Sequence, residues 1–311
     1  MTTMKTAAAQ HSTRVAARTP KRRRATDLRT ALIFIAPALV GLIAFYLVPT
    51  IRGLYLSFTE YGLFGDPIWV GLENYTKLFA DKLFWNAMAV TGEYVVLNIA
   101  FQTVFALGLA LLMYHVAKST LIRGIILLPY LIANVVVALL WFWMLDYQIG
   151  IVNQVIEWMG LPRIAFFGNE TWAIPTIAFV NVWRHMGYTA LLLFAGLQAI
   201  PRHVYEVAAL DGAGPWKTFW KITLPLLRPI LVLVLVVTVI GSFQIFDTVA
   251  VTTGGGPVNA SRVIQMYIFD KAFTEQEFGY ASALASVLFV VIGIVAFLQM
   301  KFLRGNESEL D

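Results

Sequence analysis

The stretch VYEVAALDGAGPWKTFWKITLP, residues 204–225, interrupts a chain that is otherwise largely apolar. It sets two carboxylates, Glu206 and Asp211, two glycines and the pair Lys217-Thr218 between two long hydrophobic runs. Two readings compete for it. One is a phosphate-binding loop, which would make the chain an enzyme; the other is a docking surface for a partner that owns the phosphate chemistry. A phosphate loop has the form G-x-x-x-x-G-K-[ST], because its backbone must curl until several N–H groups converge on the phosphates. With Lys217-Thr218 as the closing pair, Asp211 and Trp216 fill the two glycine positions. A tryptophan where the backbone must wrap an anion excludes nucleotide binding by that route.

Local chemistry supports the docking surface. Pro201 suits a helix start, where its missing N–H costs nothing. The pattern predicts a helix through RHVYEVAAL that stops at Asp211-Gly212, glycine supplying the left-handed C-terminal turn. Pro215 then opens a second helical stretch, PWKTFWKITLP, leading into the next apolar run. The expected product is a short rod held across the membrane face, followed by a compact reversal. Ala208 and Ala209 keep one side smooth for close approach by another protein, and Glu206 supplies one fixed charge for register. An ordinary amphipathic connection has the same features, and on these residues alone the two readings stand level.

Composition decides the setting. Of 311 residues 59% are hydrophobic and 13% charged, with a mean hydropathy of +0.72. A soluble domain carries about 25% charged residues, so the chain lacks the polar groups to cover a water-facing surface. A crossing helix needs about 20 mainly apolar residues, and six segments qualify: roughly 30–50, 88–112, 121–145, 172–197, 226–246 and 280–303. Backbone groups cannot stay unpaired in lipid, and the segments show no period-two alternation. The expectation is an all-α membrane protein, not a barrel.

Lys and Arg orient it. They crowd the N-terminal tail, the 114–123 and 198–228 connections and the C-terminal end, leaving Arg52, Lys77, Lys82, Arg163, Arg262 and Lys271 opposite. Both termini, and the 198–225 loop, are therefore expected in the cytoplasm. The outer segment 51–87 carries Leu72, Tyr75, Leu78 and Phe79 at helical spacing, which predicts a short amphipathic helix against the outer interface. Residues 1–27 hold KRRR at 21–24 and no acid before Asp27. They read as a disordered basic tail beside anionic lipid, because the apolar run after them is too long for a signal core. The transmembrane domain is then 28–311.

Zero cysteines exclude a disulfide framework, a thiolate metal site and a cysteine nucleophile. His11, His115, His185 and His203 lack ligand spacing. No metal or catalytic site is expected, and the net charge of +5, carried by the tail and inner loops, does not point to nucleic acid.

The opening stretch resembles the cytoplasmic signature of binding-protein-dependent ABC importer permeases, E-A-A-x-x-x-G followed, after nine residues, by I-x-L-P. Glu206, Ala208, Gly212, Ile222, Leu224 and Pro225 stand at the matching positions, with Val207 replacing the first Ala. GLENYTKLF with FWNAM (71–88) is similar to the first external segment of carbohydrate-type permeases. TGGGPVNAS with MYIFDKAF (253–273) is similar to the last outer loop of the maltose- and glycerol-phosphate-type first permease subunit. The likeness spans residue 28 to the end. It implies a type I importer permease fold in the bacterial cytoplasmic membrane, forming half of a heterodimeric pore. The partners it implies are a second permease, two ATPase subunits and an extracytoplasmic sugar-binding protein or lipoprotein. ATP and Mg would then be bound by the ATPase, with no cofactor in this chain. It further implies that the helix around Glu206, Val207, Ala208, Ala209 and Asp211 inserts into an ATPase cleft and couples hydrolysis to rocking of the spans.

Arg184 lies inside the fourth expected span, where a charge facing lipid costs about 2.5–3.5 kcal/mol. It must face protein or water, with Glu93 and Asp247 as candidate partners. Asn181, Arg184, Gln244 and Asp247 are the candidate pathway residues, against the alternative of a buried structural pair. Trp141, Trp143, Trp183 and Tyr188 are available as sugar platforms, though span aromatics also pack between helices. Pro37, Pro129 and Pro175 are expected to kink their spans, and Gly254–Pro257 reads as a tight outer turn. An ion-coupled secondary transporter is disfavoured, since the first, third and sixth spans carry no carboxylate at depth. Within the importer class the solute is a di- or oligosaccharide, with glycerol-3-phosphate or another polar solute as the alternative.

Overall fold

The computed structural model describes residues 23–115 and 119–304. The expected basic tail up to Arg22, residues 116–118 and residues 305–311 lie outside the described residues. The described residues divide into two compact units, one up to Arg52 and one from Gly53.

The first unit is helical. Helix α1, Arg23–Leu42, passes through a π-helical turn, Ile43–Leu47, into α2, Val48–Leu56. The last residues of the stretch read as a tail, 23–27, are thus helical. The continuous stretch Ala31–Leu56 is long and apolar enough to cross a membrane.

The second unit opens on a small antiparallel hairpin, β1 (Thr59–Glu60) and β2 (Ile68–Trp69), with Thr59 opposite Trp69. Helices α3 (Glu73–Ala80) and α4 (Lys82–His115) follow. Then come α5 (Thr120–Leu131), α6 (Asn134–Met144), α7 (Ile151–Trp158) and α8 (Ala173–Ala199). Next are α9 (Arg202–Leu210) and α10 (Pro215–Thr218), a second π turn at Phe219–Thr223, and α11 (Leu224–Phe243). The chain closes with α12 (Asp247–Thr252), α13 (Ile264–Phe269), a π turn at Asp270–Thr274 and α14 (Phe278–Arg304).

Among the described residues four helical stretches are long and apolar enough to cross a membrane: Ala31–Leu56, Lys82–His115, Pro215–Thr252 and Phe278–Phe302. The bent pair α5 and α6 can make a fifth. The single span expected at 121–145 is corrected here: it breaks at Ile132-Ala133, and its halves meet at 88°. Helix α8 covers the fourth expected span and is 27 residues long, about 40 Å at 1.5 Å per residue. It falls short in apolarity because Asn181, Arg184 and His185 sit in its middle. Its surroundings explain that composition: Ile177, Val180, Leu193 and Leu197 are all buried, so protein, not lipid, covers much of it. Pro175 lies in its first turn, where no kink is needed.

Two apolar clusters stack along α4, α8 and α11. One gathers Phe84, Tyr94, Ile177, Phe243, Val249, Tyr267 and Leu284; the other gathers Ala106, Ala110, Leu193, Leu197, Leu227 and Val234. Polar side chains lie between them.

Helix α3 is a packed element more than a membrane-surface one. Leu78 is fully buried, and the Tyr75 hydroxyl lies 2.7 Å from Ser57 Oγ, while Leu72 and Phe79 stay exposed. Asn74 Nδ2 donates to the carbonyls of Ser57 and Thr59 at 3.0 and 2.9 Å, closing the hairpin onto α3. The glycine-rich turn uses left-handed backbone at Gly254, Gly255, Val258 and Asn259. It is tied to α4 by Asn86 Nδ2 donating to Asn259 O at 3.0 Å and Ile264 N–H donating to Thr91 Oγ1 at 2.8 Å.

Asp81, just before α4, joins three elements. Its carboxylate accepts the hydroxyls of Tyr267 and Tyr280 and, at 2.8 Å, the N–H of Leu83. Burial pushes the Asp81 carboxyl up, but the two tyrosines and the N–H groups of Leu83 and Phe84 outweigh it and hold it below its usual 3.8. A depressed carboxylate contributes stability that is present above its unfolded value and lost as pH falls through the folded one. Thermal stability of the purified protein should therefore fall as the pH drops below 3.8. Asp81→Asn should be less stable at neutral pH and flatter in acid; parallel pH curves would contradict this role.

Candidate functional site: a polar cavity and an exposed rod

Between the two apolar clusters lies a cavity of ≈ 530 Å³. Its polar lining comes from five elements: α4 gives Asn98 and Gln102, α5 Tyr130, α6 Asn134, α8 Asn181 to Thr189, and the α11–α12 segment Ser242, Gln244 and Asp247. Asn98 and Gln102 stand about halfway along α4, one turn apart, so both face the same neighbours. Asn98 Nδ2 donates to Gln102 Oε1 at 3.0 Å and to Ser242 Oγ at 2.9 Å, and Gln102 Nε2 donates to Thr189 Oγ1 at 2.8 Å. One chain of hydrogen bonds thus crosses α4, α8 and α11. Asn98 Oδ1 is buried without a partner among the described residues, so the network is not fully satisfied.

The four candidate pathway residues all line this cavity. Asn181 is buried and donates to the Ile177 carbonyl at 3.0 Å and to Thr248 Oγ1 at 3.1 Å. Asp247 Oδ2 accepts Asn134 Nδ2 at 2.9 Å. Gln244 is exposed at the C-terminus of α11. Arg184 differs from expectation in its partners. Glu93 is exposed, and among the described residues no ion pair joins Arg184 to Glu93 or Asp247. The guanidinium donates instead to the backbone: Nε to Ile132 O at 3.2 Å, Nη2 to the same oxygen at 3.1 Å and to Tyr130 O at 3.3 Å. The break after α5 leaves those carbonyls without helical partners, and an arginine needs acceptors that lipid cannot supply. Each deficit meets the other.

Of the four aromatics considered as platforms, Tyr188 lines the cavity, stacked on Tyr130 at 4.5 Å between centroids and 11° between planes. Trp141 packs edge-on against Phe179 and Trp183, and Trp143 is exposed. Asn98, Gln102, Asn134 and Tyr130 were missed from sequence. The amide pair one turn apart inside an apolar span was the available signal.

The second site is the 201–225 segment. Pro201 precedes α9, whose end reverses through Gly212 in the left-handed region at φ +69. Gly212 N–H donates to Ala209 O at 3.1 Å and Ala213 N–H to Ala208 O at 2.9 Å, the paired bonds of a glycine-terminated helix. Pro215 opens α10, and Pro225 sits in the first turn of α11. Ala208 is corrected: it is 5% exposed and faces the chain's own bundle, since Tyr205 and Ala208 are one turn apart on the inward side. The outward side carries Glu206, Val207, Ala209 and Leu210, with Asp211 and Gly212 exposed after it; Ile222 and Leu224 are half-buried. Leu210 is 87% and Trp216 75% exposed, and neither was read from sequence as part of the docking surface. Beside the rod a cleft of ≈ 1470 Å³ is lined by Tyr114, Arg123, Gln198, Tyr205 and Glu206 among others.

A family model described as "Binding-protein-dependent transport system inner membrane component" matches residues 102–305. "Probable ABC transporter permease protein YurN" of Bacillus subtilis is 34% identical, over 89% of this chain and 97% of its own length. "Trehalose/maltose transport system permease protein MalF" of Thermococcus litoralis is 30% identical, over 86% and 90%. The fold is similar to a chain in the crystal structure of a bacterial ABC transporter involved in the import of the acidic polysaccharide alginate. The TM-score is 0.81 at 24% identity, covering 92% of this chain and 100% of that one. With that match covering α8 to α14 and the glycine-terminated rod at 202–212, the chain belongs to the binding-protein-dependent transport system inner membrane components, the permeases of ABC importers.

Proposed function

We propose that this chain is the permease of an ATP-driven sugar importer and that the polar cavity is a station on the solute's path. A polar cavity midway between two apolar clusters carries the reading. Buried amides and a carboxylate there are costly in a membrane bundle, and polar groups kept at that cost mark a pathway by default. Hydroxyl-binding groups beside a Tyr130–Tyr188 stack suit a di- or oligosaccharide, and the named substrates of a relative, trehalose and maltose, agree with that class. Helix α8 supplies the sixth crossing, both termini and α9 are cytoplasmic, and the chain pairs with a second permease. Two ATPase subunits, which bind ATP and Mg, grip the outward side of α9. An extracytoplasmic binding protein delivers the sugar.

The test is to purify the tagged full chain from its host, identify what accompanies it, and measure uptake of labelled sugars into proteoliposomes. ATP-dependent uptake of a di- or oligosaccharide is expected. Solute movement by this chain alone, with no ATPase bound, would overturn the reading. In the same system Asp247→Asn should raise KM about tenfold or more with folding intact, because a hydrogen bond to a charged group contributes about 1.5–3 kcal/mol. An unchanged KM would remove Asp247 from the path.

A further inference from the structure

We propose that Arg184 is a positioning residue that clamps the α5–α6 break, making the break the hinge through which movement of α9 reaches the cavity. The motion rests on the importer reading above; the clamp does not.

The guanidinium is largely committed. Besides its bonds to the carbonyls of Tyr130 and Ile132, Nη1 lies 2.9 Å from His185 Nε2. Arginine is a donor only, so Nε2 must accept. His185 then carries its proton on Nδ1, which donates to Asn181 O at 2.9 Å. Four of the five N–H groups of Arg184 are thus used inside the protein. A group this engaged is poorly placed to hold an anionic solute and well placed to hold a helix end.

The two sides of the break answer chiefly to different neighbours: α6 meets α8 where Trp141 packs on Phe179 and Trp183, and is otherwise seated on α12. On one side α5 is bound to α8: beyond Arg184, Gly187 lets the backbones meet at Ile126, and Tyr188 stacks on Tyr130. On the other, Asn134 at the start of α6 is held by Asp247 of α12. Between them Ile132 and Ala133 leave the helical region, with ψ 139 and 138. Hinges are a few element-terminal residues that absorb the backbone change. Helix α8 runs through Ile200 and Pro201 directly into α9. A pull on α9 therefore travels up α8, carries α5 through the guanidinium, and flexes the chain at 132–133. Asn134 and Asp247 are then re-aimed into the cavity.

The chain has no cysteine, so introduced pairs report without background. Spin labels at Leu128→Cys and Leu140→Cys, both exposed, read the angle across the break; Leu128→Cys with Ala195→Cys reads α5 against α8. For the full chain in lipid nanodiscs, the 128–140 distance distribution is expected to be narrow. It should broaden with Arg184→Leu and narrow again with Arg184→Lys, whose ammonium still donates to both carbonyls. A narrow distribution in Arg184→Leu overturns the clamp, whatever the chain transports. In the complex that co-purifies with the chain, trapping with ATP should shift the 128–140 distance and leave 128–195 fixed; equal shifts overturn the hinge. Arg184→Leu should lower kcat for uptake about tenfold with KM within about twofold, the split of a group that touches no solute. A raised KM at unchanged kcat makes Arg184 a ligand and overturns the proposal. Failure of the importer reading shows separately, as no ATPase and no ATP-dependent uptake while the nanodisc result stands.

Discussion

Proteoliposomes carrying Gly212→Ile are expected to keep hydrolysing ATP while sugar uptake falls about tenfold or more. Gly212 holds φ +69, and a Cβ built there meets nothing within 4 Å. The substitution therefore acts through the backbone alone. A side chain in the left-handed region costs about 1–2 kcal/mol, and β-branching makes it worse. The helix end can relieve this by abandoning the bonds from Gly212 and Ala213 back to Ala209 and Ala208. The rod then leaves the bundle at another angle, with its outward residues still present and the lever misdirected. Gly214→Ala is the control: its φ is −68 and its Cβ site is also open, so it should transport normally. Glu206→Ala, at an exposed position, should uncouple in the same direction by weakening the grip. Hydrolysis and uptake measured in one preparation decide the matter. If both fall together in Gly212→Ile, or neither does, the coupling role of this turn is lost.

The rod was legible in the sequence because its boundaries are written in proline and glycine, whose backbone demands are local. Span positions were legible for a similar reason: length and apolarity are properties of a segment by itself. The α5–α6 break was not. Pro129 lies inside α5 and does not end it; the carbonyls freed one and three residues later are satisfied by an arginine 54 and 52 residues away. No local pattern encodes such a pairing. The partners assigned to Arg184 were half right for the same reason: Asp247 acts on it through the field without an ion pair, Glu93 is exposed, and unpaired carbonyls are the direct acceptors. Ala208 was misplaced because a nine-residue rod presents small residues on both sides, and only the packing of Tyr205 and Ala208 inward fixes which side is free. Residues that line the cavity were half visible. Asn181, Arg184, Gln244 and Asp247 stand out singly as polar groups in apolar runs, whereas the chain from Asn98 to Thr189 exists only once three helices are side by side.

Gly187→Ala should be among the most damaging single-methyl changes in the chain. A Cβ at Gly187 would lie 2.1 Å from Ile126 O and 3.0 Å from its carbonyl carbon. Both are backbone atoms, so no rotamer change relieves the clash. Overpacking a tight site costs about 1–3 kcal/mol, occasionally more, and here α5 itself must retreat from α8. A retreat of even a few tenths of an ångström takes the Arg184 bonds, already 3.1–3.3 Å, toward the limit of hydrogen bonding. The stacked Tyr130–Tyr188 pair separates with them, so one methyl group removes three contacts that act together. Gly124→Ala on the same α5 helix meets nothing within 4 Å and should be neutral or slightly stabilising, since alanine exceeds glycine in helix propensity by about 1 kcal/mol. Melting curves of both variants in one detergent, with the 128–195 label pair on each, separate the cases. Gly187→Ala should melt several degrees lower with a lengthened α5–α8 distance, and Gly124→Ala should change neither. A Gly187→Ala protein as stable as the parent would mean that α5 is not seated on α8 at Ile126, and the path by which α9 moves the cavity would lose its middle link.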